Sequence, residues 1–563
     1  MPRNFRILSP LDFPAEFTYP WDSGSSLVDW LEINIPIGDQ SVRKVQYVTM
    51  DRRRFLGTSL AAAAATGAAS VAETTARPKS VYGMGSRREL FLDDYLVETT
   101  GGELSYQLHH PVAREESIHH HRDWEGTSSG YHTVFREGDT YRMYYRGFNF
   151  DLVNHQIRPT NREVTCYAQS ADGIEWETPE LGLFEHKGSK RNNIVWQGPG
   201  SHNFSPFLDA RPGCPEEERF KAFGGLKNTT GGMALFVSAD GIRWKRAHDK
   251  AVITHGAFDS GNIGFWDPTI EKYRAYWRYF TAGVTEADNW KPAGIRAIRT
   301  AVSDDLVTWS EEKELAYTDS PQQQMYTNNV VPYFRAPHIL VGFPMRYVER
   351  GWSPSMRALP ELEKREVRAA AHLRYGTAIT ETQIMASRDG HTFKRWNEAF
   401  LPPGIQRPDS WYYAHHDVAR NMVTTRSNLT GAPDELSFYA GSGRWHGTGT
   451  RLTRHTLRQD GFVSASAPFA GGELVTRPLT FTGNTLVINF ASSAAGTLKV
   501  EIQTAAGEPV EGYTLADADE TFGDELDRVV TWNGSPDVGR LAGRVIRLRF
   551  TLRDVDLYTL KFS

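Results

Sequence analysis

From Tyr131 onward the chain is written in short alternations of apolar and polar residues. Tyr131-His-Thr-Val-Phe135 and Tyr141-Arg-Met-Tyr-Tyr145 flank the turn Glu137-Gly-Asp139. Both segments carry the period-two, aromatic-enriched pattern of strands joined as a hairpin. Comparable pairs occur at 204–208 with 220–223, 263–266 with 273–277, and 330–334 with 339–343. Helical periodicity is scarce; the Glu-, Lys-, Arg- and Ala-rich stretch 360–374 is its clearest instance.

A motif recurs behind these pairs. Ser170-Ala-Asp-Gly-Ile-Glu-Trp176 returns as Ser238-Ala-Asp-Gly-Ile-Arg-Trp244, Ser303-Asp-Asp-Leu-Val-Thr-Trp309 and Ser387-Arg-Asp-Gly-His-Thr-Phe393, and in degenerate form as Arg458-Gln-Asp-Gly-Phe462. The aligned acids Asp172, Asp240, Asp305, Asp389 and Asp460 lie 68, 65, 84 and 71 residues apart. Asp bonds backbone two residues on and Gly supplies positive φ, so each motif predicts a tight turn, followed by an aromatic residue packed between units. These acids are therefore expected to be structural. Four strands per unit match a propeller blade, and five units predict an all-β, five-bladed β-propeller over 85–465. The helical stretch falls inside the longest interval. After Gly471 short strands separated by Gly, Ser, Asp and Pro predict a C-terminal β-sandwich over 470–563.

Length and composition add limits. The chain has 563 residues, 40% hydrophobic and 23% charged, which is ordinary globular composition for two or three domains. Net charge is 63 − 68 = −5 with no long basic run, so no nucleic-acid partner is expected. Two cysteines, Cys166 and Cys214, build neither a disulfide framework nor a metal site; Cys166 reads as a buried strand thiol. Arg52-Arg53-Arg54-Phe55-Leu56-Gly57, a short apolar run and Ser70-Val71-Ala72 have the form of a twin-arginine export signal over 50–72. Residues 1–49 then stand as a doubtful N-terminal extension, with translation starting at Met50. The expected location is periplasmic or extracellular, without membrane insertion, since the apolar run is too short to span a bilayer.

In a propeller, the loops leading into the innermost strands line one mouth of the central channel. Here they read Asp123-Trp-Glu-Gly126, Ser201-His-Asn-Phe-Ser205, Phe258-Asp-Ser-Gly-Asn262, Met325-Tyr-Thr-Asn-Asn329 and Trp411-Tyr-Tyr-Ala-His-His416. Glu125 and Asp259 occupy equivalent loops two blades apart, so both are expected to face the channel as a catalytic carboxyl pair, with Asp123 as competitor to Glu125. Glu163 and Glu381, each before a third strand, stand in reserve, with salt bridging their simpler role. Tyr131, Arg146, Asn203, Asn262, Asn328, Trp411, Tyr412 and His416 are expected to bind substrate by hydrogen bonding or stacking. His119-His120-His121 lacks a spaced partner and reads as a solvated loop, so no metal is expected. Gly-x-Ser-x-Gly, Cys-x-x-Cys and a Gly-rich strand–turn–helix loop are absent, and no cofactor is expected.

The chain resembles the five-bladed propeller glycosidases of glycoside hydrolase families 32 and 43, and more closely exported family-32-like proteins of environmental bacteria. The resembling segments are Glu89-Leu-Phe-Leu-Asp-Asp-Tyr95, Trp124-Glu-Gly126, Tyr141-Arg-Met-Tyr-Tyr-Arg146, the first Ser-Ala-Asp-Gly motif with Pro179-Glu-Leu-Gly182, and Phe258-Asp-Ser-Gly-Asn262. The resemblance implies a glycoside hydrolase acting on a furanoside or a plant or algal polysaccharide fragment, with Glu125 and Asp259 as its acid/base pair. The sequence departs from the family where a third, tuning acid belongs: His202-Asn203 stands there, and the Asn-Asp-Pro-Asn segment is absent. The alternatives are a propeller that captures glycan without chemistry, and a transglycosylase or phosphorylase on the same fold.

Overall fold

The computed structural model describes residues 80–563 apart from 155, 227–230, 287–288 and 446–448. The expected extension and export signal lie outside the described residues. No helix among the described residues is long and apolar enough to cross a membrane.

Alternation becomes a five-bladed β-propeller. The first sheet pairs Gly130–Glu137, Thr140–Gly147, Val164–Ser170 and Ile194–Gln197. The second pairs Ser205–Leu208, Phe220–Gly225, Met233–Ser238 and Lys245–Arg246, and the third Ile263–Asp267, Lys272–Glu286, Asn289–Ser303 and Lys313–Glu314. The fourth runs from Val331–Tyr333 through Ala336–Gly342 and Met385–Ser387 to Thr392–Arg395, with Ala316–Thr318 added in parallel outside. In the fifth, Asp417–Val418 and Val423–Thr425 both pair with Glu435–Ser442, followed by Thr450–Leu457. Its outermost strand is Val112–His120, from the start of the ring, so the end and the beginning of the ring are joined by backbone hydrogen bonds.

Apolar faces close the circle. Separate buried clusters join first to second sheet (Phe135, Tyr144, Phe220, Phe236), second to third (Phe207, Phe223, Tyr273, Trp277) and third to fourth (Phe265, Tyr276, Leu340, Phe393). The fourth meets the fifth through Phe343, Phe400 and Phe438, and the fifth meets the first through Tyr439, Leu452, Val134 and Cys166. Each motif aromatic lies in one of these seams, as Trp244 and Phe393 show. The turns behave as their chemistry dictates: Asp240 Oδ1 accepts the N–H groups of Ile242 and Arg243 at 2.8 and 2.7 Å, and Asp305 and Asp389 repeat the pattern. Gly241 (φ 73°) sits beneath Tyr144, where a Cβ would lie 2.6 Å from the phenol oxygen. The Tyr144 hydroxyl latches the seam by donating to the Gly241 carbonyl at 2.9 Å. Asp460 departs from the series; fully buried, it receives Tyr333 Oη and ion pairs from Arg88 and Arg335.

One boundary moves. Tyr82–Gly85, Glu89–Leu90, Val97–Gly102 and Ser105–Leu108 join the C-terminal sheet, so the ring begins at Val112 and not at 85. The reason is burial: Tyr82, Met84, Phe91 and Val97 complete the C-terminal core with Leu498, Trp532, Phe550 and Phe562. The ten strands of this module are linked by hydrogen bonds and enclose that core. Its long strands Leu486–Thr504 and Ile546–Phe562 pair along their length, with the register breaking between Ser492 and Thr497.

The helical stretch is an insertion in the fourth sheet. Helices Leu362–Ala371 and Leu373–Thr377 lie between the paired strands Met345–Glu349 and Ala378–Thr382. Arg365, buried, anchors the insertion by donating to the carbonyls of Trp411 and Ser410 at 2.8 and 3.0 Å.

Candidate active site

A cavity of about 270 Å3 is walled by residues from all five sheets: Tyr131, Arg146 and Glu163 from the first, His202 from the second, Asp259 from the third, Tyr326, Arg374 and Tyr375 from the fourth, Tyr413 and Arg444 from the fifth. Contributions from every blade place it on the ring axis. Two further hollows share wall residues with it. One, of about 250 Å3, shares His202 and Asp259 and runs past Leu226, Phe258 and Trp290; the other, of about 800 Å3, shares His202 and Glu163 and runs past Phe148, Pro159 and Phe184. A separate cleft of about 620 Å3 between the second and third sheets, lined by Trp277, Arg299 and Glu312, contains none of the axial cluster.

Strand register explains the first-sheet groups. Arg146, one residue before the end of its strand, pairs with Thr165, which puts Glu163 beside it. The Glu163 carboxylate lies 3.9 Å from Arg146 Nη1 and 2.8 Å from His202 Nδ1. Asp259 is brought in by its loop: the Ala257 N–H donates to the Arg278 carbonyl at 2.7 Å, and the Arg278 guanidinium then pairs with the Asp259 carboxylate. Asp259 remains about one-third exposed. Tyr131, held at φ 53°, donates from its hydroxyl to the Asp259 carbonyl at 3.0 Å and meets the Tyr326 hydroxyl at 3.2 Å. Tyr413 donates to Tyr326 at 2.8 Å. Burial raises the Tyr326 phenol most, but the Arg278 and Arg444 guanidinium groups and the Tyr131 contact together outweigh it and hold it below the ordinary tyrosine value. Tyr131 and Tyr413 are pushed well up, mainly by burial.

Glu125 is a correction. Its side chain is 1% exposed, sits among residues of the seam between fifth and first sheets, and is not part of the cavity wall. The Tyr145 hydroxyl donates to Oε1 at 2.5 Å, the Arg122 N–H to Oε2 at 3.0 Å, and His120 Nδ1 lies 3.6 Å away. Burial pushes this carboxyl up, yet His120, Tyr145 and the Arg122 N–H outweigh it and hold it at about 2. The loop is fixed in this direction because Glu125 also accepts the Phe148 N–H through its carbonyl at 2.8 Å. His120 is corrected with it: it ends a strand, fully buried, stacked on Tyr145 at 3.9 Å. Asp123 is exposed and pairs with Lys187, and Glu381 pairs with Arg346.

Of the expected binding residues, Tyr131 and Arg146 line the cavity and the others do not. The three asparagines, all buried, fasten loops. Asn203 donates to the Phe258 and Ser260 carbonyls and accepts the Gly225 N–H, Asn262 donates to the Phe258 carbonyl at 3.1 Å, and Asn328 to the Gly261 carbonyl at 3.2 Å. Trp411 donates to the Gly404 carbonyl and packs on Met356, Leu359 and Ile379. Tyr412 accepts the Arg444 N–H at 3.1 Å, supporting the wall from behind. His416 contacts the Pro402 carbonyl at 2.9 Å and is kept neutral by burial, its value lowered to about 3.

Sequence reasoning missed His202, Arg278, Tyr326, Arg374, Tyr375, Tyr413 and Arg444. Tyr326 and Tyr413 stood inside the highlighted loops, where a neighbour was preferred in each case. Nothing in the spacing distinguishes Tyr413 from Tyr412; only the direction of each side chain does.

No protein-family model matches the chain, and no curated protein matches it. Solved structures resemble it in chain course. A glycosyl hydrolase from Bacteroides ovatus aligns at 11% identity and TM-score 0.38, covering 62% of this chain and 94% of its own. A family 43 arabinoxylan arabinofuranohydrolase from Bacillus subtilis aligns at 13% identity and TM-score 0.28, covering 81% and 99%. The Bombyx mori family 32 β-fructofuranosidase aligns at 10% identity and TM-score 0.34, covering 80% and 94%.

Proposed function

We propose that the protein is a glycoside-active enzyme that hydrolyses a glycosidic bond in the axial cavity, with Asp259 and Glu163 as its carboxyl groups. The observation that carries this reading is that both acids line one cavity, and that His202, bonded to Glu163, is shared by all three hollows. A bond held at that junction has a carboxyl group on either side, as glycoside cleavage requires. Asp259, fixed by Arg278, serves the anomeric carbon, as base toward water or as nucleophile. The Glu163–His202 pair delivers a proton to the leaving oxygen; where Asp259 acts as nucleophile, the same pair then takes a proton from the water that releases the sugar. Tyr131, Tyr375 and Tyr413 supply aromatic surface for sugar rings, and Arg146 supplies hydrogen bonds. An export signal at 50–72, and with it action outside the cytoplasm, belongs to the same proposal.

The full chain is to be incubated with a panel of polysaccharides and aryl furanosides while new reducing ends are measured. The wild type is expected to turn over at least one member. Asp259→Asn and Glu163→Gln are expected to lower kcat by about 10^2–10^4-fold while remaining folded. Undiminished turnover in either variant removes that acid from the assignment. Binding without cleavage across the panel overturns hydrolysis and leaves a glycan-capturing propeller.

A further inference from the structure

Three guanidinium groups line the axial cavity, those of Arg146, Arg374 and Arg444, against two carboxylates, Glu163 and Asp259, and the buried Arg278 stands behind Asp259. Asp259 is taken up by Arg278, and Glu163 by His202 with Arg146 at 3.9 Å. Arg374 and Arg444 form no ion pair among the described residues; Arg444 donates from Nε to Ser128 Oγ at 3.0 Å, and Arg374 lies over the Tyr375 ring. A further acid, Asp417, is buried off the cavity wall, as Arg278 is; with both counted, four guanidinium groups stand against three carboxyl groups.

The cations are also crowded. Gly130 has no side chain, and both Arg444 and Arg146 lie against it: a Cβ there would be 3.4 Å from Arg444 Nη1 and 3.8 Å from Arg146 Nη2. Both arginines are buried, and burial together with the neighbouring Arg444 charge lowers the Arg146 value. Like charges held together out of water cost free energy unless an anion joins them. Guanidinium forks match the two oxygens of a carboxylate or a sulfate.

We infer that the axial cavity takes a sugar bearing an anionic group, a uronate carboxylate or a sulfate ester, seated between Arg374, Arg444 and Arg146 with its ring against the tyrosines. This rests on reading the cavity as a saccharide site and adds the charge of the residue it holds. Arg374 comes from the helical insertion, so the fourth-sheet insertion is what turns a propeller mouth into an anion-selective one.

Monosaccharides are not cleaved, so their binding tests the charge separately from the chemistry. Calorimetric titration of the full chain with glucuronate, galacturonate, galactose 6-sulfate, glucose and galactose is expected to show at least one anionic sugar bound about tenfold or more tighter than its neutral counterpart. Preference for the uronates assigns a carboxylate, and preference for the sulfated sugar a sulfate ester; either supports the inference. Arg374→Ala, at a half-exposed position, is expected to lose most of that preference without a change in melting temperature, and Arg374→Lys to keep part of it. Equal or tighter binding of the neutral sugars overturns the inference, as does undiminished preference in Arg374→Ala. Hydrolysis of a neutral glycoside with no anion preference removes this inference alone. Anion preference with no hydrolysis of any substrate removes the catalytic reading alone.

Discussion

The loops that lead into the first and third sheets hold equivalent places in the ring, and each carries an acid, yet the two acids have opposite fates. Glu125 is turned into the seam between blades, where Tyr145, the Arg122 N–H and His120 enclose it. Asp259 opens to the axis, with Arg278 behind it and a third of its surface free. A repeat therefore fixes where a residue's backbone lies, but not which way its side chain points. Direction is set by the local partners: a phenol and a backbone N–H draw Glu125 inward, and a strand arginine holds Asp259 at the cavity wall.

The largest expected effect separates these acids by function. Asp259→Asn should reduce kcat by about 10^3-fold, whereas Glu125→Gln should leave turnover per folded molecule within about twofold, read from steady-state rates corrected for the folded fraction. Equal losses in both would erase the contrast. Stability should show the reverse. Glu125→Gln removes a buried charge-assisted acceptor and should cost about 2–3 kcal/mol in urea unfolding, more than Asp259→Asn does.

The pH dependence of stability sharpens the difference further. Glu125 is held at about 2, below its unfolded value, so its contribution is complete above about pH 4.3 and disappears as pH falls toward 2. Glu89, also lowered to about 2 against burial by His338 and Arg388, adds to the same acid limb. Glu125→Gln should flatten that limb without abolishing it. Asp417 has the opposite sign. Burial raises it to about 6 despite Arg444 and Arg146, so wild-type stability should fall as pH rises from about 3.9 to 6. Asp417→Asn should remove that fall, gaining roughly 1–3 kcal/mol above pH 6 in unfolding titrations. The smallest effect belongs to the turn acids. Asp240→Ala loses two backbone hydrogen bonds at the surface and should cost about 1 kcal/mol, with kcat unchanged.

Much of the ring was legible because its signals are local. Period-two alternation, the Ser-x-Asp-Gly turns and the aromatic that follows each are settled within a few residues, and five of them imply a circle. The role of Asp172, Asp240, Asp305 and Asp389 as turn residues followed from the reach of a short carboxylate to the next two N–H groups. The buried thiol of Cys166 followed from its alternating strand. The site was legible only in part. Asp259, Tyr131 and Arg146 line the cavity. Asn203, Asn262 and Asn328 satisfy buried carbonyls instead, a demand that arises only once neighbouring loops are packed together.

The amino-acid order alone determined strand, turn and repeat, because each depends on contacts a few residues apart. Tertiary structure alone decided three things. Tyr82–Leu108 completes a core that is otherwise built some four hundred residues later, and Val112–His120 closes the last blade. Three arginines spread from Arg146 to Arg444 come to line one cavity, where their charges meet. Charge and burial act through space, and along the chain these groups are too distant for any pattern to join them.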